Sequence, residues 1–255
     1  MKYVRPLMLV SFALLCIGAF YFTLSYFERR APLKTPIKVI AQTGPIKEGL
    51  KTDYLAEILD LSINNPKCLD INEVEKIIEK SPLIKKVSAS YLNPETLYID
   101  YTLRNPIFAL IDLENMALDL EGYLFPLNPY FTPKKLPELY LGLKEMISFD
   151  KPLTGKEMIL ATHLYSLFKE KIIRIDLSRI NESSLGKREI IIILKSPKKV
   201  THILRLSPKR YEEQLENYRI FKKVIQDQEL IIDLRVPELA YLIPITRDKF
   251  MKKLS

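Results

Sequence analysis

Residues Asp70–Pro106, DINEVEKIIEKSPLIKKVSASYLNPETLYIDYTLRNP, decide the fold that the sequence predicts. The first part indicates a helix, because Asp70 is a good N-cap residue and apolar residues follow it at helical spacing. Ser81-Pro82 ends that helix. Apolar and polar residues then alternate on both sides of Asn93-Pro94, which indicates two strands joined by a tight turn. The stretch therefore predicts a helix followed by a β-hairpin.

The composition is that of a folded protein of modest size. The chain has 255 residues, of which 47% are hydrophobic and 27% are charged, and this excludes a disordered or multi-span protein. The 7 glycines argue against a glycine-rich nucleotide-binding fold, and Cys16 and Cys68 cannot form a disulfide framework. The net charge of +8 is spread along the chain and predicts a basic surface. No motif indicates binding to nucleic acid.

The N-terminal region predicts a membrane anchor. Residues 7–27, LMLVSFALLCIGAFYFTLSYF, carry no charge and are long enough for a transmembrane helix. No small-residue cleavage site follows directly, so we expect the helix to be retained rather than cleaved as a signal peptide. Residues 1–6 are then a tail, and residues 28–36 a linker. Basic residues flank the span on both sides, so the positive-inside rule does not settle its orientation.

Two small domains are predicted after the linker. A short strand at 37–40 and a helix after Thr52 precede the opening stretch, which gives residues 37–108 the order β-α-α-β-β. Residues 109–250 contain mostly strands, and the run Ile190–Leu194 is apolar on both faces, which is typical of a central strand. The expected fold class is α+β: an N-terminal transmembrane helix, the small β-α-α-β-β domain, and a second, mostly antiparallel β-sheet domain with two flanking helices.

The two helices of the second domain have distinct start signals. Thr154 and Glu157 have the spacing of a capping box, and apolar residues follow them at helical spacing. Ser207-Pro208 predicts the start of the other helix, because proline is favoured at the first helical position.

The opening stretch resembles a POTRA domain, most closely that of the FtsQ/DivIB family of bacterial cell-division proteins. The resemblance rests on Pro82, on Asn93-Pro94-x-Thr96-Leu97-x-Ile99 and on Arg104-x-Pro106. It continues in the second domain. Leu118–Phe125 is similar to a family hairpin, here around Glu121-Gly122, and Ile232–Arg235 is similar to the family's closing signature. The resemblance covers about residues 7–245.

This resemblance implies a non-enzymatic, bitopic scaffold of the divisome. It would lie in the bacterial inner (cytoplasmic) membrane as a single-pass protein at the division septum, with a cytoplasmic N-terminus and an extracytoplasmic bulk. It would bind small coiled-coil division proteins like FtsB and FtsL beside the septal wall synthase complex. In this way it would help recruit and regulate septal peptidoglycan synthesis.

The resemblance also places the partner site near the last predicted strand, Leu239–Ile243. The positions that match the family's site are Arg235, Val236, Leu239, Ala240, Tyr241 and Leu242. Tyr241 is the preferred anchor, because an aromatic ring with a polar tip often carries an interface. Val236 and Leu242 have a second interpretation as core residues.

No catalytic constellation is apparent in the sequence. His163 and His202 lie far apart without a Cys/His cluster, so we expect neither a metal nor a cofactor. Ser166-Leu167-Phe168-Lys169 matches the Ser-x-x-Lys motif of penicillin-binding proteins, but the companion Lys-Thr-Gly and Ser-Asp-Asn motifs are absent. Two other functions stay open: a POTRA chaperone module of outer-membrane protein assembly or secretion, and a membrane-anchored cell-wall enzyme.

Overall fold

The computed structural model describes residues 12, 14–25, 35–45, 48–62, 64–143, 149, 151–195, 200–225 and 227–245. Contacts divide the chain into two compact units, Met1–Arg104 and Asn105–Ser255. The predicted tail at residues 1–6 and residues 28–34 of the predicted linker lie outside the described residues.

The predicted membrane span is not supported. Residues 12 and 14–25 are helical and are labelled α1. Within the part of the chain that the structure describes, no helix combines sufficient length with sufficient apolar character to cross a membrane. The prediction of a single-pass inner-membrane protein is therefore wrong on this finding. The remainder of the predicted span, residues 7–11, 13, 26 and 27, lies outside the described residues.

The first unit contains a three-stranded sheet. Its strands are β1 (Val39–Thr43), β2 (Ile84–Asn93) and β3 (Thr96–Leu103), and its further helices are α2 (Thr52–Ile58) and α3 (Ile71–Glu79). Strand β3 lies between the other two, parallel to β1 and antiparallel to β2.

Two polar side chains fix the local structure of this unit as predicted. The Asp70 carboxylate caps α3 by accepting hydrogen bonds from the N–H groups of Asn72 at 2.8 Å and Glu73 at 3.4 Å. The Asn93 side chain holds the turn between β2 and β3 by accepting from the Glu95 N–H at 3.0 Å. The fully buried core beneath these elements includes Leu55, Ile71, Val74, Ile78, Leu83, Leu97 and Ile99.

The second unit is built on one nine-stranded sheet. Its strands are β4 (Phe108–Leu110), β5 (Met116–Leu118), β6 (Leu124–Pro126), β7 (Glu138–Tyr140), β8 (Ile172–Asp176), β9 (Ile190–Lys195), β10 (Thr201–Leu206), β11 (Leu230–Asp233) and β12 (Tyr241–Pro244). Their order across the sheet is β12-β11-β10-β9-β8-β7-β4-β5-β6. The helices are α4 (Lys156–Phe168) and α5 (Tyr211–Phe221), with 3₁₀ turns at Lys169–Lys171 and Leu185–Lys187.

The predicted fold class is wrong: the molecule is mixed α/β rather than α+β, and the described strands of its nine-stranded sheet include parallel as well as antiparallel pairs. The pairs β4–β7, β7–β8 and β10–β11 are parallel. Two of these pairs arise because α4 connects β7 to β8 and α5 connects β10 to β11. Such a helical crossover carries the chain back to the opposite end of the sheet, where the previous strand began, so the next strand runs in the same direction. The sequence pattern shows the helices but not that they join neighbouring strands.

The core of the second unit lies between this sheet and its two helices. Strand β9 is central, as its apolar run predicts, and pairs with β8 and β10. Buried residues from the strands include Ile175, Ile190, Ile192, Leu204 and Ile232, and those from the helices include Met158, Ala161, Leu164, Leu215 and Tyr218.

Candidate partner-binding site

Strand β12 forms one edge of the nine-stranded sheet. Among the described residues it pairs on one side only, antiparallel to β11, with Tyr241 opposite Asp233 and Leu242 opposite Ile232. An edge strand of this kind presents a row of unpaired backbone groups that another chain can use. The edge lies where the sequence places the candidate site, and the strand runs from Tyr241 to Pro244 rather than from Leu239 to Ile243.

The register identifies the backbone groups of β12 that point outward. The Ile245 N–H donates to the Glu229 carbonyl at 3.0 Å, so the alternation of an antiparallel ladder turns residues 243 and 241 toward β11 as well. Leu242 and Pro244 then direct their backbone groups away from β11. Leu242 offers one N–H and one C=O, whereas Pro244 offers only a C=O because proline has no N–H.

The side chains around this edge are exposed. Within β12, Tyr241 is 55%, Leu242 46% and Ile243 49% exposed, and since successive side chains of a strand point to opposite faces, both faces are open in the described part of the chain. Val236 is 43% exposed. These values place Val236 and Leu242 at the surface and not in the core.

A groove of about 470 Å³ adjoins the start of β12. One wall is a face of α5 that includes Asn217 and Ile220, and the other wall is the connection from β11 to β12. Val236, Leu239 and Ala240 line the groove, and Tyr241 and Leu242 follow directly on the edge strand. Five of the six predicted site residues therefore lie close together, either in the groove or on the adjoining edge strand.

The sixth residue, Arg235, is held by a cluster of charged side chains. Its Nη2 lies 2.8 Å from Asp233 Oδ2, and its Nη1 lies 3.4 Å from Glu189 Oε2. The Glu189 side chain is 2% exposed and also binds Arg205 at 2.6 Å and Arg179 at 3.0 Å. Three guanidinium groups thus surround two carboxylates, and this cluster fixes the backbone where the connection to β12 begins.

The electrostatics of this cluster favour the charged forms of Asp233 and Arg235. Burial opposes ionisation of Asp233, but hydrogen bonds from Arg235 outweigh that effect and hold the pKa of the carboxyl below its ordinary value. The hydrogen bond to Asp233 in turn raises the pKa of Arg235. Arg235 is therefore a fixed structural cation at the base of the site rather than a mobile side chain.

The residues considered for chemistry lie elsewhere. His202 is buried, where its Nδ1 lies 2.8 Å from the Tyr218 hydroxyl and its Nε2 3.2 Å from the Gln228 carbonyl. The Ser166 hydroxyl donates to the His163 main-chain carbonyl at 2.7 Å, a common bond for a helical serine. Among the described residues, no group of three or more His, Cys, Asp or Glu side chains is placed to hold a metal ion.

Sequence reasoning missed Glu189 and Arg205, which hold Arg235 in place. Their partners come from different strands, and strand pairing brings them together rather than chain spacing. One signal was present: Arg205 and Asp233 are charged residues in strands that are mostly apolar, and such residues need partners when they are partly buried.

Comparison with known proteins adds no assignment to this geometry. A scan against protein-family models finds no match, and a search of curated proteins finds none either.

Proposed function

We propose that the chain is a non-enzymatic scaffold of the bacterial division machinery, of the FtsQ/DivIB kind. It binds small coiled-coil division proteins similar to FtsB and FtsL, and thereby helps recruit and regulate septal peptidoglycan synthesis. The class of partner comes from the resemblance of the POTRA-like stretch and of Ile232–Arg235 to that family. The observation that carries the proposal is the open edge of β12, which is chemically suited to receive a partner segment.

The binding mode is strand addition. The Leu242 N–H and C=O meet the backbone of the partner segment, while side chains on either face of the strand determine which segment fits. A net gain of about 1 kcal/mol per hydrogen bond is modest. Apolar contacts with Tyr241 and with the apolar residues of the adjoining groove, such as Val236 and Leu239, therefore supply most of the affinity.

The composition of the edge supports a binding role. Proteins usually protect an exposed edge strand with charged residues, so that it does not pair with other chains. Strand β12 has the sequence Tyr-Leu-Ile-Pro, with no charged residue, and all four of its side chains are exposed. Only its short length and Pro244 restrict pairing. An apolar, uncharged edge is expected where pairing with a partner is the function.

Co-purification with the FtsB-like protein of the same organism tests the proposal. The wild-type chain should capture that protein, and Tyr241→Lys should abolish capture because it places a charge in the apolar contact. Leu120→Lys is a matched control, since Leu120 is 55% exposed and lies between β5 and β6 at the opposite end of the sheet. Capture that is absent in the wild type, or unchanged in Tyr241→Lys, contradicts the proposal.

A pair of proline variants tests the strand-addition geometry itself. Leu242→Pro removes an N–H that points away from β11, so the variant should fold but lose capture. Ile243→Pro removes an N–H that points toward β11, so it should also destabilise the fold. If Leu242→Pro folds and captures the partner normally, the partner does not pair with β12.

A further inference from the structure

The ring of His202 joins strand β10 to helix α5. His202 is buried on β10, and its Nδ1 lies 2.8 Å from the hydroxyl of Tyr218 on α5. Its Nε2 lies 3.2 Å from the Gln228 carbonyl, in the connection from α5 to β11. A carbonyl only accepts hydrogen bonds, so Nε2 carries the proton and Nδ1 accepts from the Tyr218 hydroxyl. The neutral ring therefore satisfies both of its neighbours.

A second proton, on Nδ1, is incompatible with this arrangement. Nδ1 would then donate, and the Tyr218 hydroxyl would have to turn its own hydrogen elsewhere. Tyr218 is fully buried, and within the described part of the chain its hydroxyl has no hydrogen-bond partner besides His202. A buried donor without an acceptor is costly. Protonation of His202 therefore removes a favourable contact between β10 and α5.

The charge of a protonated ring is also opposed from α5. Lys222 is the C-cap residue of this helix, and its ammonium lies 5.6 Å from the centre of the Tyr218 ring. Burial lowers the pKa of His202 and Lys222 acts in the same direction, although main-chain carbonyls oppose the shift. The strands on either side of β10 place Leu194 and Leu230 opposite His202. The titratable neighbours Tyr218 and Lys222 thus both come from the C-terminal end of α5.

The same end of α5 forms a wall of the groove beside β12. Phe221 lines that groove together with Ile220, whose side chain is 71% exposed. The rings of Tyr218 and Phe221 pack edge to face, with their centroids 6.0 Å apart. Direct contacts therefore lead from His202 through Tyr218 to a residue of the groove. A shift of Tyr218 moves the wall against which a partner packs.

We propose that protonation of His202 releases the C-terminal end of α5 from the sheet and weakens partner binding at the groove and the β12 edge. The effect on binding rests on the function proposed above, whereas the movement of α5 concerns the free chain alone. In neutral solution the ring is uncharged, α5 is held and the groove is intact. In mildly acidic solution the groove wall moves and the partner is released.

Methyl NMR of the free chain tests the movement of α5 without a partner. During an acid titration, the His202 ring signals and the Ile220 methyl signals should change with one midpoint, below pH 6.5. The Ile111 methyl signals are the control, because Ile111 is 41% exposed and follows β4, which is far from β10 in the sheet. Circular dichroism should show that the chain stays folded through the midpoint. In His202→Gln, the Ile220 signals should no longer respond.

Capture of the FtsB-like protein tests the effect on binding. We expect the wild-type affinity to fall about tenfold between neutral pH and a pH below the midpoint. His202→Gln should lose this dependence. His163→Gln is the matched control and should retain it, since His163 lies on α4 and does not contact Tyr218 through the bond that holds His202.

Unchanged Ile220 signals while His202 titrates, or unfolding of the whole chain at that midpoint, would overturn the inference. An affinity that falls equally in the wild type and in His202→Gln would overturn its effect on binding. The titration is made on the wild type, so it decides the matter even if His202→Gln does not fold. If α5 moves as expected but the chain captures no partner at neutral pH, the β12 proposal fails while the movement of α5 is confirmed.

Discussion

Arg235 Nη1 lies 3.4 Å from Glu189 Oε2, and this contact joins the end of β11 to a carboxylate that is 2% exposed. Glu189 comes just before β9, and Arg205 on β10 binds it as well at 2.6 Å. The buried carboxylate thus connects three consecutive strands of the sheet at the point where the chain leaves for β12. A buried charge that loses its partners is costly, so we expect this cluster to set the stability of the site.

Replacing Glu189 should destabilise the second unit. Glu189→Gln keeps the shape of the side chain but removes the negative charge that three guanidinium groups contact, and the weaker hydrogen bonds should lower the free energy of unfolding by about 1.5–3 kcal/mol. Urea unfolding measures it. Glu216→Gln is the matched control, because Glu216 and Arg219 pair at 3.0 Å with exposed side chains, and its effect should stay below about 1 kcal/mol. Equal effects in the two variants would contradict the role of the buried cluster.

Stability should fall in mildly acidic solution because of His202. Burial lowers the pKa of His202 below its ordinary value of 6.5, and the nearby Lys222 acts in the same direction, although hydrogen bonds to the Ile225 and Gln228 carbonyls oppose the shift. Between that lowered value and 6.5 only the unfolded chain binds the proton. The free energy of unfolding therefore decreases as the pH falls through this range and is fully regained above it.

The variant His202→Gln should lose this part of the pH dependence, because glutamine does not titrate. His163→Gln should retain it, since His163 lies on α4 and does not contact the Tyr218 hydroxyl that binds His202. Urea unfolding at several pH values provides the measurement. A wild-type stability that rises on acidification through this range would show that the sign is wrong.

Gly122 should not tolerate a side chain. It lies in the turn between β5 and β6 with a φ of +84°, and a Cβ there would lie 2.4 Å from the Leu153 carbonyl oxygen. The left-handed conformation alone costs an L-residue about 1–2 kcal/mol, so Gly122→Ala should lower the free energy of unfolding by at least that amount. Gly186→Ala is the control, since a Cβ at Gly186 meets nothing within 4 Å. Similar stabilities for the two variants would contradict this turn geometry.

Predictions from the sequence succeed where neighbouring residues determine the structure. The Asp70 cap, the turn held by Asn93 and the hairpin around Glu121-Gly122 each depend on residues a few positions apart. The first residue of a helix is harder to predict, even though it also depends on residues a few positions apart. The N-cap of α4 is Gly155 without the predicted capping box, and α5 begins at Tyr211 rather than at Pro208.

Predictions fail where strands distant in sequence meet. The parallel pairs of the large sheet and the contacts of Glu189 depend on which strands are neighbours, and no local pattern encodes that choice. The candidate site lies between these cases. Its six residues lie within residues 235–242, and the family resemblance names them; that they bind a partner stays a prediction. Only the register of β12 against β11 shows that the backbone N–H and C=O of Leu242 point away from β11.

The most direct test of the account is amide hydrogen exchange at Leu242 and Ile243, measured by NMR on the free chain. We predict that the Leu242 amide exchanges at nearly the rate of an unstructured peptide, because its N–H points away from the sheet. The Ile243 amide, which faces β11, should be protected. If the Leu242 amide of the free chain is instead protected as strongly as that of Ile243, its N–H is already hydrogen-bonded within the chain. The open edge of β12, and with it the proposed binding site, is then contradicted.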